Sequence, residues 1–233
     1  MKKVLDKGYV RLVDVMGSDL TIVNAARVSY DKESHELNGK DERLINFLIR
    51  EGHTSPLRHA SMQFEVYAPL MVARQWWKQV VGSDHTMDAW NESSRRYISE
   101  KEEFYIPGEN EWRSKPANSK QGSGEPLNAV EGLPFTAALM SYVEQGEKFY
   151  NKAMNCGIAP EQARLFLPAY GMYVRWYWTA SLQSVLHFLD QRLESDAQKE
   201  IQDYAKVVEE YVIEHYPAVY RAWNKSKGEI NNG

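Results

Sequence analysis

The sequence is short of cysteine, of net positive charge and of long apolar runs, and each shortage removes a class of function. Cys156 is the only cysteine among 233 residues, which excludes an intrachain disulfide and a thiolate metal cluster. A formal net charge of -4 denies the chain the broad basic face that general nucleic-acid binding requires. A few arginines can still make one pocket positive. No apolar run reaches the roughly eighteen residues of a membrane-spanning helix. The N-terminus, MKKVLDKGYVRLVDVMG, interleaves charges where a signal peptide needs an apolar stretch, so the expected compartment is the cytoplasm. Neither G-x-G-x-x-G nor a P-loop is present, which removes the Rossmann and NTPase readings. His53, His59 and His85 are irregularly spaced and lack an H-E-x-x-H pair, so no metal site is expected. Ser94 has no G-x-S-x-G around it, which argues against a serine hydrolase.

What remains is an α+β pattern in which helix dominates. YVRLVDV at 9–15 alternates as a strand, Asp19 opens a helix through TIVNAARVS, and DERLINFLIR makes a second helix ending before Gly52. HTSPLRHAS reads as a turn or short helix opened by Pro56. In SMQFEVYAP, Met62, Phe64 and Val66 alternate with Ser61, Gln63 and Glu65, the pattern of a half-buried strand. Pro69 then opens the helix PLMVARQWWKQVV. Residues 108–127 are rich in Gly, Ser and Pro and predict a surface loop inside one domain spanning 1–233. Beyond it come a helix over LPFTAALMSYVEQGEKFYNKAMN, the helical PEQARLFL, a strand-like MYVRWYWT, the helix SLQSVLHFLDQR, and a long helix from Asp196. The tail, 225–233, is expected to fray.

Four segments carry cations beside polar hydrogen-bonding groups: Arg74 and Lys78, Arg95 and Arg96, Arg164, and Arg192. A guanidinium pairs bidentately with phosphate and with the carbonyl-imide edge of a pyrimidine. Arg164 and Arg192 border apolar stripes, so each either snorkels to solvent or faces a pocket. Ser94, between Glu92 and two arginines, suits phosphate binding. Trp76, Trp77, Trp176 and Trp178 either stack on a flat ring or fill the core. His187 lies within the apolar VLHFL stripe, where a satisfied core residue is the ordinary case, and Cys156 reads as structural.

Taken in order, the segments DKGYVRLVDVMGSDLTIVNAARVSYDK, GHTSPLRH, FEVYAPLMVARQWW, NESSRRY with FYIP, and ARLFLP…FLDQRLESDAQKEIQDYA resemble the flavin-dependent thymidylate synthases. The likeness runs from about residue 5 to 215 and is thinnest over the 108–127 loop. It implies a helix-rich α+β domain with a small mixed or antiparallel sheet, assembled as a homotetramer whose active sites are shared between subunits. It implies FAD as cofactor, with dUMP made into dTMP by methylenetetrahydrofolate as carbon donor and NADPH as reductant. No nucleic acid and no membrane enter as partners. Residue by residue, it puts dUMP contacts at Gln75, Glu92, Ser94, Arg96, Arg164 and Arg192, joined by their neighbours Trp76, Lys78, Ser93 and Arg95. Arg192 takes the catalytic role, stabilising charge that develops at N3 and O4 of uracil. FAD contacts are implied at Ser55, Lys78, Gln79, Glu92, Ser181, Gln183 and His187, and the folate region at His53 and Tyr97.

The chain departs from the family at one motif. Where the signature has Arg-His-Arg, this sequence has Lys78-Gln79-Val80, with a longer spacing before Ser94. Lys78 keeps a charge without the fork, and Val80 replaces no guanidinium at all. The inserted stretch brings His85, the candidate to replace a lost cofactor contact. Two rival readings use the same residues: hydroxymethylation of dUMP, with water capturing the methylene adduct, and a non-catalytic nucleotide-binding homologue.

Overall fold

The fold was analysed in a computed structural model that describes residues 1–82, 88–93, 102–116 and 122–230, without side-chain detail at 80–82 and 229–230. Five strands form one sheet in the order β1-β2-β3-β5-β4, every neighbouring pair antiparallel. They are β1 (Lys2–Val4), β2 (Gly8–Met16), β3 (Ser61–Pro69), β4 (Ala89–Glu92) and β5 (Tyr173–Ser181). A bulge between Leu12 and Asp14 shifts the β2–β3 register by one residue, re-aiming the strand beyond it. The helices are α1 (Asp19–Arg27), α2 (Gly39–Arg50), α3 (Leu70–Gly82), α4 (Ala129–Asn155), the short α5 (Pro160–Ala163), α6 (Leu182–Arg192), α7 (Lys199–His215) and α8 (Pro217–Ile230).

One face of the sheet carries the core. Val10, Phe64, Val66, Trp176 and Trp178 point from the strands to Val185, Phe188, Leu189, Ile201, Tyr204 and Val208 of α6 and α7, all buried. Trp76 of α3 is wedged there, stacked on Phe188 at 4.3 Å and set edge-on to Trp176 and Trp178. The opposite face is lined by polar and aromatic side chains, and β3 is less solvated there than its alternation predicts. Glu65 is only 8% exposed because Tyr9 and Arg11, from β2, close over its carboxylate. A central strand is covered by its neighbours' side chains as well as by helices.

Three elements lie outside the sequence reading. β1 and the edge strand β4 exist through pairing with distant strands, and residues 225–230, expected to fray, continue α8. Ser18, one residue ahead of Asp19, is the N-cap of α1. The long C-terminal helix α7 starts at Lys199, after Asp196. The 108–127 segment is folded on itself where it is described: Ser114 N–H donates to Glu125 O at 2.9 Å and Leu127 N–H to Trp112 O at 2.7 Å.

Candidate active site

Three cavities hold seven of the predicted site residues: Glu92, Ser93, Arg164, Gln75, Arg192, Gln183 and His187. The first, about 500 Å³, opens between the end of β4 and the turn after α5 and holds Glu92, Ser93 and Arg164. Ser93 is pinned to β5, its N–H donating to Arg175 O at 2.8 Å. Arg164 is exposed, and its Nε donates to Glu161 O at 3.2 Å, which holds the stem of the side chain against α5. The Glu92 side chain keeps an exposed surface, yet the protein crowded around its carboxyl desolvates it enough to raise its pKa above the usual carboxylate range, opposed by a hydrogen bond with Trp90. That is the larger desolvation effect winning over a single donor. Glu102, Tyr150 and Glu161 share this cavity and carried no signal in the sequence.

The second cavity, about 850 Å³, lies where α6 ends and α7 begins, and is lined by Gln75, Arg192, Asp196 and Gln198. Arg192 is the last residue of α6, at the negative end of that helix, and is half-buried. Desolvation lowers its guanidinium pKa, with nearby Asp196 opposing the shift. Its Nε is buried without a hydrogen-bond partner among the described residues. A desolvated cation at a cavity wall favours an anion or a polarised carbonyl.

The third cavity, about 300 Å³, is bounded by α2, α6 and α8, with Gln183 and His187 on its wall beside Leu57 and Trp223. Arg58 Nε donates to Gln183 Oε1 at 3.0 Å, which fixes that amide. Trp223 Nε1 donates to Asp190 at 3.0 Å, and Lys227 pairs with the same carboxylate at 2.9 Å. Apolar walls with a fixed amide and an imidazole suit a flat heteroaromatic ring such as a flavin. The volume admits the ring system, while the rest of a dinucleotide needs further walls.

Other predicted residues have different positions. Trp76 is fully buried in the core, packed against Phe188, Trp176 and Trp178. Ser181 is likewise fully buried, and its Oγ accepts the Ser184 N–H at 3.2 Å, capping α6. Lys78 is exposed and Gln79 half-buried on α3, and Ser55 is exposed at the start of a 3₁₀ turn (Ser55–His59). His53 follows α2, its N–H donating to Leu48 O at 2.8 Å and its ring set edge-on to Phe47. Ser94, Arg95, Arg96, Tyr97 and His85 lie outside the described residues. No helix among the described residues is long and apolar enough to cross a membrane.

An antiparallel sheet packed on helices, with cations and amides at cavities around its edges, makes this an α+β protein whose cavities suit an anionic, ring-bearing ligand. A family model, thymidylate synthase complementing protein, matches residues 11–218. A flavin-dependent thymidylate synthase of Thermosipho africanus is 37% identical, covering 99% of this chain and 98% of its own. One from Thermus thermophilus is 41% identical, over 95% of this chain and 77% of its own. The solved structure of the UMP/dUMP methylase PolB from Streptomyces cacaoi, bound with 5-Br dUMP, superposes with a TM-score of 0.82 at 28% identity, covering 97% of each chain. The chain therefore belongs to the flavin-dependent thymidylate synthase family, enzymes of the methyltransferase class.

Proposed function

We propose that this protein converts dUMP to dTMP, taking the carbon from methylenetetrahydrofolate and the reducing electrons from NADPH through FAD. The observation that carries the reading is Arg192: a half-buried guanidinium, its Nε desolvated, at the wall of a cavity shared with Gln75. In that position it stabilises negative charge on the uracil edge as C5 attacks the methylene carbon, an electrostatic contribution made before the reaction begins. Arg164, Ser93 and Glu92 serve the sugar-phosphate end, with Ser94, Arg95 and Arg96 beside them in sequence. Gln183 and His187 hold the flavin ring, and His53 and Tyr97 serve the folate. FAD, when bound, supplies the hydride that completes the methyl group. No thiolate is required, in keeping with Cys156 being exposed at the end of α4 and not among the residues that line these cavities.

Among the described residues the three cavities are separate, and we infer that copies of the chain meet to complete the site, as a homotetramer with shared active sites. Support comes from α4, which exposes Val130, Leu133, Phe135, Met140 and Tyr142, each more than half accessible. An apolar surface of that extent on a long helix marks an interface. Incubating the purified protein with dUMP, methylenetetrahydrofolate and NADPH, and weighing the nucleotide product, tests the reading. It predicts dTMP; a hydroxymethylated nucleotide or unchanged dUMP overturns it. UMP belongs in the same assay, because the similar solved structures include the Streptomyces enzyme bound with 5-Br UMP.

A further inference from the structure

Glu200 stands in the first turn of α7 and is nevertheless only 4% exposed. Arg113, from the 108–127 segment, pairs with its Oε1, and Arg113 Nε donates to Ser123 Oγ at 2.9 Å. The same segment closes on the neighbouring turn at Gly122, which has a positive φ of 74° and lies against the backbone of Asp196. A Cβ at Gly122 would come within 3.3 Å of Asp196 O and would sit at a positive φ, so this close approach favours glycine. Where it is described, at Arg113 and at Gly122–Ser123, the segment expected to be a surface loop lies against the rim of the Gln75–Arg192 cavity.

The second Glu200 oxygen, Oε2, accepts from Gln198 Nε2 at 2.8 Å. Gln198 Oε1 in turn accepts from Gln75 Nε2. An ionised carboxylate only accepts hydrogen bonds, so Gln198 has to turn its NH₂ group to Glu200. That leaves its carbonyl for Gln75, and Gln75 has to spend its own NH₂ there. Among the described residues Gln75 Oε1 takes no hydrogen bond, and it is the group Gln75 has to offer the cavity. The charge on Glu200, held by Arg113, thus sets the polarity of two successive amides.

We propose that Glu200 is a specificity-determining positioning residue: through Gln198 it locks the Gln75 carbonyl toward the cavity, beside the Arg192 guanidinium, and so selects uracil over cytosine. This rests on the reading that the Gln75–Arg192 cavity takes the pyrimidine. Uracil presents an N3–H next to carbonyl oxygens, which matches one acceptor beside one donor fork. Cytosine presents a bare N3 next to an NH₂ group, which sets lone pair against lone pair and cation against donor. A site built for a particular hydrogen-bond pattern rejects the analogue that leaves its groups unpaired.

Glu200→Gln tests the lock. A neutral amide at 200 accepts from Arg113 and donates to Gln198, which reverses both downstream amides and turns an N–H into the cavity. Affinities of dUMP and dCMP, measured by calorimetry on the full chain, give the result. The dUMP-to-dCMP affinity ratio should fall at least tenfold, with dCMP binding gained as dUMP binding is lost. Gln198→Met, which cuts the relay and leaves the Arg113–Glu200 pair intact, should narrow the ratio as well and provides a second variant should the first not fold. Unchanged selectivity in a folded variant overturns the relay alone. A wild-type protein that binds neither nucleotide, or does not prefer dUMP, overturns the reading of the cavity and the relay with it.

Discussion

The carboxylate of Asp19, in the first turn of α1, accepts the backbone N–H of Val219 at 3.0 Å and that of Ala218 at 2.9 Å. A residue from the start of the chain thereby caps the N-terminus of its last helix, where backbone donors have no partner within the helix. Burial raises the Asp19 pKa above the usual aspartate range, against the lowering effect of those two N–H groups. A raised folded-state pKa means that the ionised form is penalised in the fold. The contribution is full below the unfolded value and is lost as pH rises through the folded one. Asp19→Asn keeps one acceptor but sets its NH₂ group against the second backbone N–H and should cost about 1 kcal/mol at pH 7, whereas Asp19→Ala strands both donors and should cost about 2–3 kcal/mol. Urea melts of the two variants check this, and equal losses contradict it.

Trp76 was expected at the nucleotide and is found in the core. Trp76→Ala should cost about 3–5 kcal/mol through the cavity it leaves. Trp76→Phe keeps an aromatic ring against Phe188 and should leave dUMP affinity within about threefold of wild type, since no interaction of about 1.4 kcal/mol per tenfold is lost. A selective loss of dUMP binding in the folded Phe variant would restore Trp76 to the substrate.

Glu65 is the buried acid of the open sheet face. Desolvation is the largest single influence on it and works upward, but the hydrogen bonds from Arg11, Tyr9 and Tyr177 together hold its pKa below the usual carboxylate range. The stabilisation it provides is therefore present above the unfolded pKa and lost as pH falls through the depressed folded value. Glu65→Gln should be less stable at pH 7 and should lose less stability than wild type on acidification to pH 3. Parallel pH–stability curves for the two proteins would contradict that. The same cluster raises the Tyr9 hydroxyl to about 12, burial first and Glu65 second.

Much of this fold is legible in the sequence where one element carries its own pattern. The alternation of Met62, Phe64 and Val66, the stripe Leu182, Val185, Leu186 and Leu189, and the polar break at 108–127 each mark a real feature. β4 was missed because Ala89, Asn91 and Glu92 are exposed on an edge and become a strand only by pairing with Thr179 through Trp176, far along the chain. α8 was missed because its cap, Asp19, lies some two hundred positions away. The site was half legible for a related reason. The family resemblance names Gln75, Glu92, Arg164 and Arg192 but does not say that they fall in different cavities of one chain. Glu200 did carry a signal, a carboxylate in register with the buried stripe Ile201, Tyr204 and Val208, which calls for a buried partner.

Arg192 is assigned the electrostatic role, so Arg192→Lys should reduce dTMP formation by about 10²–10³-fold, the usual cost of removing one preorganised donor. The bound flavin spectrum should be retained, because the ring is assigned to the Gln183–His187 cavity. Steady-state turnover and visible absorbance on the same preparation separate the two, and a joint loss contradicts the division of labour among the cavities.

The most direct test is the visible spectrum of the purified protein before and after dUMP is added. The expected result is flavin absorption, either as isolated or after adding FAD, and a shift in that absorption when dUMP enters the neighbouring site. A colourless protein that takes up no added FAD, or a flavin spectrum indifferent to saturating dUMP, would contradict it.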